Sequence, residues 1–236
     1  MARLAILIAA QLLAVMPSGA SNAVSLGYSD ETTVVGPGTD ACASGALIYN
    51  HDGSFENGYA WEYEGCQPPY YGAFGEAYDL GAGTATCGAF WLTSLPGFGV
   101  YDPADCYLWE GGVADEPGAV LAVVTGVAFS GMGTWPYVNQ HDVDMNVGVD
   151  GAFTVGYWAN MQGGFDFFFC GADENGPRGH PWTCIAPDQG YPSGWQDPAI
   201  VGGWWGPTKS MGLGVYFEQA TPIRNQTWGA VKAMFR

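Results

Sequence analysis

Glycine is what most limits this chain: 37 of its 236 residues are Gly. Each Gly inside a helix costs about 1 kcal/mol relative to Ala, because it gives up the most backbone freedom on folding. A chain this rich in Gly does not build its core from helices. Short strands joined by tight turns remain. Only 12% of residues are charged and 15% are aromatic, so the chain buries enough apolar area to offset its ordering entropy and is not disordered.

Period-2 alternation marks the strands. Phe74, Glu76, Tyr78 and Leu80 alternate with smaller or polar neighbours. Cys87 to Thr93 and Cys106 to Glu110 are further strands, separated by the Pro- and Gly-rich stretch from Ser94 to Ala104. Ala119 to Phe129 is almost wholly apolar and Val-rich, which reads as a strand buried on both faces. Val143, Met145, Val147 and Val149 alternate with Asp142, Asp144, Asn146 and Gly148. Asp150-Gly151 then offers a two-residue hairpin turn before Phe153, Val155 and Tyr157. Phe165, Phe167 and Phe169, and later Met211, Leu213, Val215 and Phe217, repeat the pattern. The expected fold is all-β: an antiparallel β-sandwich of jelly-roll type. It occupies residues 46–220, with a leader at 24–45, a tail at 221–236, and the Pro-rich stretch from Gly171 to Thr208 as a loop excursion.

Residues 1–23 read as a signal peptide. Arg3 precedes an apolar run from Leu4 to Met16, and small residues follow, with Ala20 or Ala23 as the last residue removed. Thirteen residues fall short of the ~20 needed to span a bilayer, so the expectation is a secreted protein, extracellular or periplasmic, with no membrane span. Cys42, Cys66, Cys87, Cys106, Cys170 and Cys184 are an even set in an exported chain, which points to three disulfides. Pairing of sequence neighbours is the simplest guess: Cys42 with Cys66, Cys87 with Cys106, and Cys170 with Cys184. The net charge of −17 excludes nucleic acid as a partner, since that binding depends on clustered Lys and Arg. It suits cations or a cationic partner.

Several phrases act together. They are Asp52-Gly53-Ser54-Phe55-Glu56-Asn57-Gly58-Tyr59, Gly72-Ala73-Phe74-Gly75-Glu76-Ala77-Tyr78, Leu108-Trp109-Glu110-Gly111-Gly112 and Gly190-Tyr191-Pro192-Ser193-Gly194-Trp195. The pattern resembles jelly-roll-like β-sandwich modules of exported bacterial proteins. That resemblance implies a non-catalytic binding or structural role, with no catalytic residue to carry over. The ending Thr227-Trp228-Gly229-Ala230-Val231-Lys232 resembles short tails of such proteins.

Four sets of residues carry possible chemistry. Trp182, Tyr191, Trp195 and Trp205 (with Trp204 beside it) are aromatic groups of the kind on which sugars stack, so carbohydrate or a cell-surface component is the expected partner. Asn50, Asp52 and Glu56 bunch oxygen ligands around Gly53 and form a candidate calcium site. Asp142 and Asp144 share one strand face roughly 6 to 7 Å apart, the basis of an alternative reading as a secreted glycoside hydrolase with paired carboxylates. His51 and His141 each precede an Asp, and a solvent-facing or loop role is expected for both.

Overall fold

The structure, a computed structural model, describes residues 23–220 except 28, 30–32, 38–41, 43, 62–64, 98–100, 160–167 and 202–205. The tail and all but the last residue of the expected signal peptide lie outside the described residues. Two sheets form, and every pairing is antiparallel except two short parallel ones. The larger sheet runs β1 (Ala23–Ser25), β4 (Asn57–Trp61), β12 (Phe169–Asp173), β6 (Gly83–Ser94), β10 (Tyr137–Val149) and β2 (Thr33–Pro37) in spatial order. β16 (Leu213–Gln219) lies between β6 and β3 (Ala46–Tyr49), while β9 (Gly133–Thr134) and β15 (Ser210–Met211) pair with β6 and β12. The smaller sheet runs β14 (Gly194–Gln196), β13 (Pro181–Ile185), β5 (Phe74–Asp79), β11 (Ala152–Ala159), β7 (Ala104–Gly111) and β8 (Pro117–Val127). A single helical turn, α1 (Pro198–Val201), follows β14.

Alternation decides what lies between the sheets. Phe90, Leu92, Leu213 and Val215 come from the larger sheet and Phe74, Leu108, Phe153, Val155 and Tyr157 from the smaller, each almost fully buried. Burying a side chain of this size contributes roughly 1.5–3 kcal/mol, so this layer dominates the stability of the sandwich.

Five expectations need correcting. Asp150-Gly151 does not close a hairpin: β10 pairs with β6, and β11 pairs with β5 and β7 in the other sheet. Only Gly151 of the two takes a positive φ, whereas the expected turn needs both. The chain arches between sheets, so Val143 and Val149 face Phe153 and Val155 across a shared core. β8 is not buried on both faces. It is the outermost strand of the smaller sheet, and Val120, Leu121 and Val123 are 38–43% exposed. The stretch from Gly171 to Thr208 supplies β13, β14 and α1 instead of a plain loop. The stretch read as a leader pairs into the larger sheet through β1 and β2.

The fifth correction concerns the cysteines. Cys42 bonds to Cys87, with Cα atoms 5.9 Å apart, while Cys66, Cys106, Cys170 and Cys184 are buried thiols. Sheet geometry explains the failure of neighbour pairing. Cys87 shares the outer face of the larger sheet with Ala89 and Trp91, and its cross-strand partner there is Tyr216. Cys106 and Cys170 point into the inter-sheet core from opposite sheets, joined there by Cys66. Cys184 lies on the outer face of the smaller sheet. Burial pushes the Cys184 thiol up to about 12 and those of Cys106 and Cys170 higher still, so all three stay protonated and inert.

Candidate functional site on the outer face of the smaller sheet

The middle of the smaller sheet turns small residues outward: Ala73, Gly75 and Ala77 on and beside β5, and Thr154 and Gly156 on β11. A side chain at Gly156 would run into the Phe74 carbonyl, so this floor can only be flat. Over it, aromatic side chains from the flanks meet. The Trp182 indole N–H reaches from β13 to donate to the Gly112 carbonyl at 2.7 Å. Trp195 on β14 sits edge-on to Trp109 on β7, with ring centroids 5.1 Å apart. Trp109 stacks on Tyr107 at 4.8 Å, and Tyr70 meets both rings edge-on. The Trp158 N–H donates to the Tyr71 carbonyl at 2.9 Å.

The layer is graded. Trp109 is fully buried and its indole N–H has no acceptor, while Trp182, Trp195, Tyr70, Tyr71 and Trp158 keep part of their surface in solvent. Burial and the neighbouring Asp105 push the Tyr107 hydroxyl up to about 12. It therefore stays a neutral phenol. Of the four expected sugar-stacking residues, Trp182 and Trp195 come together on this face. Tyr191 packs against the inter-sheet core instead, and Trp205 lies outside the described residues. Tyr70, Tyr107, Trp109 and Trp158 were missed, although Tyr107-x-Trp109 and Trp158 show the same outward phase in sequence.

Asp52 and Glu56 come together, bridged by a hydroxyl. Ser54 Oγ donates to Asp52 Oδ1 at 2.7 Å and lies 3.0 Å from Glu56 Oε1. That bond is the main reason Asp52 is held below the usual carboxylate range. The end of β12 adds carboxylates that the sequence did not pair with them. The Glu174 and Asn175 N–H groups donate to Glu56, and the Asp52 backbone N–H donates to Asp173 at 2.9 Å. Tyr59 and Asn57 donate to Glu174. These oxygens hold loops together through N–H and O–H donors. Among the described residues no three His, Cys, Asp or Glu side chains are grouped to hold a metal ion, and Asn50 points elsewhere, to Glu76.

The sequence placed Glu76 on one face of a strand but gave it no role of its own. It faces the core with Phe74 and Tyr78, fully buried, and accepts from Asn50 Nδ2, His180 N and Met211 N at 2.7–2.8 Å. Burial pushes its carboxyl up to about 8 against the pull of those donors. A Glu in the apolar phase of an alternating strand was the available signal. His51 is buried among Tyr49, Phe55 and Trp91 on the larger sheet's outer face, with centroids 4.4–4.7 Å away. His51 thus stands in a loop, as one half of its expected solvent-facing or loop role had it, but does not face solvent; His141 lies on β10, half-buried with its Nε2 buried, against both halves. Burial lowers His51 and His141 alike to about 4.

Asp142 and Asp144 do share the outer face of β10. Gln140 and Tyr216 both donate to Asp142, burial raises it, and Asp144 is exposed. A pocket of about 210 Å³ beside β10 is lined by Asp142 but not by Asp144. No helix among the described residues is long and apolar enough to cross a membrane. No family model, curated protein or solved structure matches the chain.

Proposed function

We propose that this chain is an exported, non-catalytic β-sandwich module of jelly-roll type, and that the outer face of its smaller sheet binds carbohydrate outside the cell or at a cell surface. The observation that carries this reading is the graded aromatic layer. A buried pair, Tyr107 and Trp109, fixes the half-exposed Trp195 from beneath, and Trp182 is pinned beside it by its bond to Gly112. Sugars present one apolar face and a rim of hydroxyls, and a flat indole held in place offers stacking area at little entropic cost. The signal-like first 23 residues and the Cys42–Cys87 bond support an oxidising compartment.

The test is retention of the folded protein on immobilised polysaccharides (cellulose, xylan, chitin and peptidoglycan). Trp195→Ala is expected to abolish retention on whichever of these holds the wild type, with its circular dichroism spectrum unchanged. Retention of Trp195→Ala equal to the wild type, or no retention of the wild type on any of the four, contradicts the proposal.

A further inference from the structure

β8 is an open edge of the smaller sheet. It pairs with β7 on one side and, among the described residues, with no strand on the other. Edge strands are usually guarded by Lys, by an inward-pointing charge or by Pro, because a row of free N–H and C=O groups invites another strand. None of the eleven residues of β8 is charged, and its one Pro stands at the first position. Its remaining guards are irregularities of register against β7. Val120, Leu121 and Val123 are half of the large apolar side chains left exposed among the described residues.

The charge of the molecule selects what fits this edge. The chain sets 23 Asp and Glu against 6 Lys and Arg, a net charge of −17, and the acids come close to the strand at Asp115 and Glu116. A cationic partner is drawn to such acids and gains nothing from an uncharged strand. A second copy is repelled by the acids and finds in β8 a place where it can dock without burying one. We propose that β8 pairs with β8 of a second copy, antiparallel about a two-fold axis, so that two six-stranded sheets become one continuous sheet. With the axis at Ala122, Leu121 of each copy stands opposite Val123 of the other, and the exposed apolar side chains cover one another. Asp115 and Glu116 then fall level with Phe129 and Ala128 of the other copy, not with its acids.

A two-fold axis that reverses strand direction within a sheet stands perpendicular to that sheet, so both copies turn the same face the same way. Residues directly opposite on paired strands share a face. Val123 is opposite Tyr107 and Val120 is opposite Trp109, so the apolar residues of β8 continue the aromatic layer toward the axis. The two copies of β7 lie three strand spacings apart, roughly 14 Å, with both aromatic layers on one side of the dimer. Given the carbohydrate reading, on which this step alone rests, the dimer holds one polysaccharide at two places. Linked sites of that kind gain avidity without any new contact.

Sedimentation velocity without polysaccharide tests the pairing; edge contacts this small make weak dimers, so the protein is run up to about 100 μM. The wild type is expected to reach a dimeric mass, more readily at high salt, which screens the repulsion between acidic copies. Its hydrogen exchange over residues 117–127 should slow as concentration rises. Leu121→Lys and Val123→Lys charge side chains that already meet water, and each should keep the protein monomeric with its circular dichroism unchanged. A wild type that stays monomeric, exchange in β8 that ignores concentration, or a dimer that survives both substitutions overturns the proposal. Retention is read separately: at equal loading Val123→Lys should be held about 100-fold less tightly than the wild type, and equal retention overturns the two-site binding. If no polysaccharide retains the wild type, the carbohydrate reading fails, and sedimentation still decides the pairing.

Discussion

Both outer faces of this sandwich carry a group of aromatic side chains, and the groups are finished differently. On the larger sheet, Trp91, Phe55 and His51 are roofed by the chain itself: the loop from Asn50 to Glu56 folds over them, and the Cys42–Cys87 bond ties the preceding segment to the same face. Tyr49 is left at the margin, 44% exposed. On the smaller sheet no loop among the described residues closes the group. Its rings cover one another, with Trp109 at the bottom and Trp182 and Trp195 partly in water. The same residue types thus make a second core where chain covers them and a rigid, partly wet platform where it does not. Composition cannot separate those outcomes.

The largest expected effect comes from the buried members. Trp91→Ala and Trp109→Ala should each cost about 3–5 kcal/mol in urea unfolding, since both leave cavities under packed neighbours. A much smaller loss for Trp109 would mean that its layer is not packed as described. Replacing Cys42 and Cys87 by Ser opens a loop of 45 residues and should cost about 4 kcal/mol on the chain-entropy estimate, while polysaccharide retention stays intact. Loss of retention in the folded double variant would couple the two faces, against the division drawn here.

The pH dependence sharpens the contrast further. His51 has its folded value lowered from 6.5 to about 4 by burial. Its contribution is therefore complete above pH 6.5 and is lost as pH falls from 6.5 toward 4, amounting to roughly 3 kcal/mol by pH 4. His141, also lowered to about 4, adds a slope of the same sign. His51→Phe should flatten the fall in unfolding free energy between pH 7 and pH 4 without abolishing it. An unchanged slope would place His51 in water. The smallest effect on stability belongs to Trp195→Ala, about 1 kcal/mol because the ring is only half covered. A loss on the scale of Trp109→Ala would make Trp195 core.

Much of this architecture was legible in the sequence, strand by strand. Phe74 and Tyr78, Phe153, Val155 and Tyr157, and Leu213, Val215 and Phe217 all fall in strands and bring their large apolar side chains into the inter-sheet core, as their period-2 spacing implied. Partners were not legible. Alternation tells which residues share a face but not which sheet that face belongs to, so β10 and β11 read as a hairpin although they oppose each other across the core. Cys87 and Cys106 likewise read as neighbours although they point into different layers. β8 was misjudged for a related reason: a Val-rich run fits either a central strand or an edge strand, and only the absence of a second partner among the described residues distinguishes them. At the candidate site the sequence offered Trp182 and Trp195 as a cluster. It could not show that Trp109, some 85 residues earlier, would lie against Trp195 with Tyr107 stacked on it, because that contact reaches across the three strands between β14 and β7.

Affinity electrophoresis of Trp195→Ala against Tyr49→Ala, in gels containing the polysaccharide that retains the wild type, tests the division between the faces most directly. Each variant removes the exposed aromatic edge of one face. The account predicts that Trp195→Ala migrates as though no polysaccharide were present while Tyr49→Ala is slowed like the wild type. Equal slowing of both, or loss of slowing only in Tyr49→Ala, would contradict it.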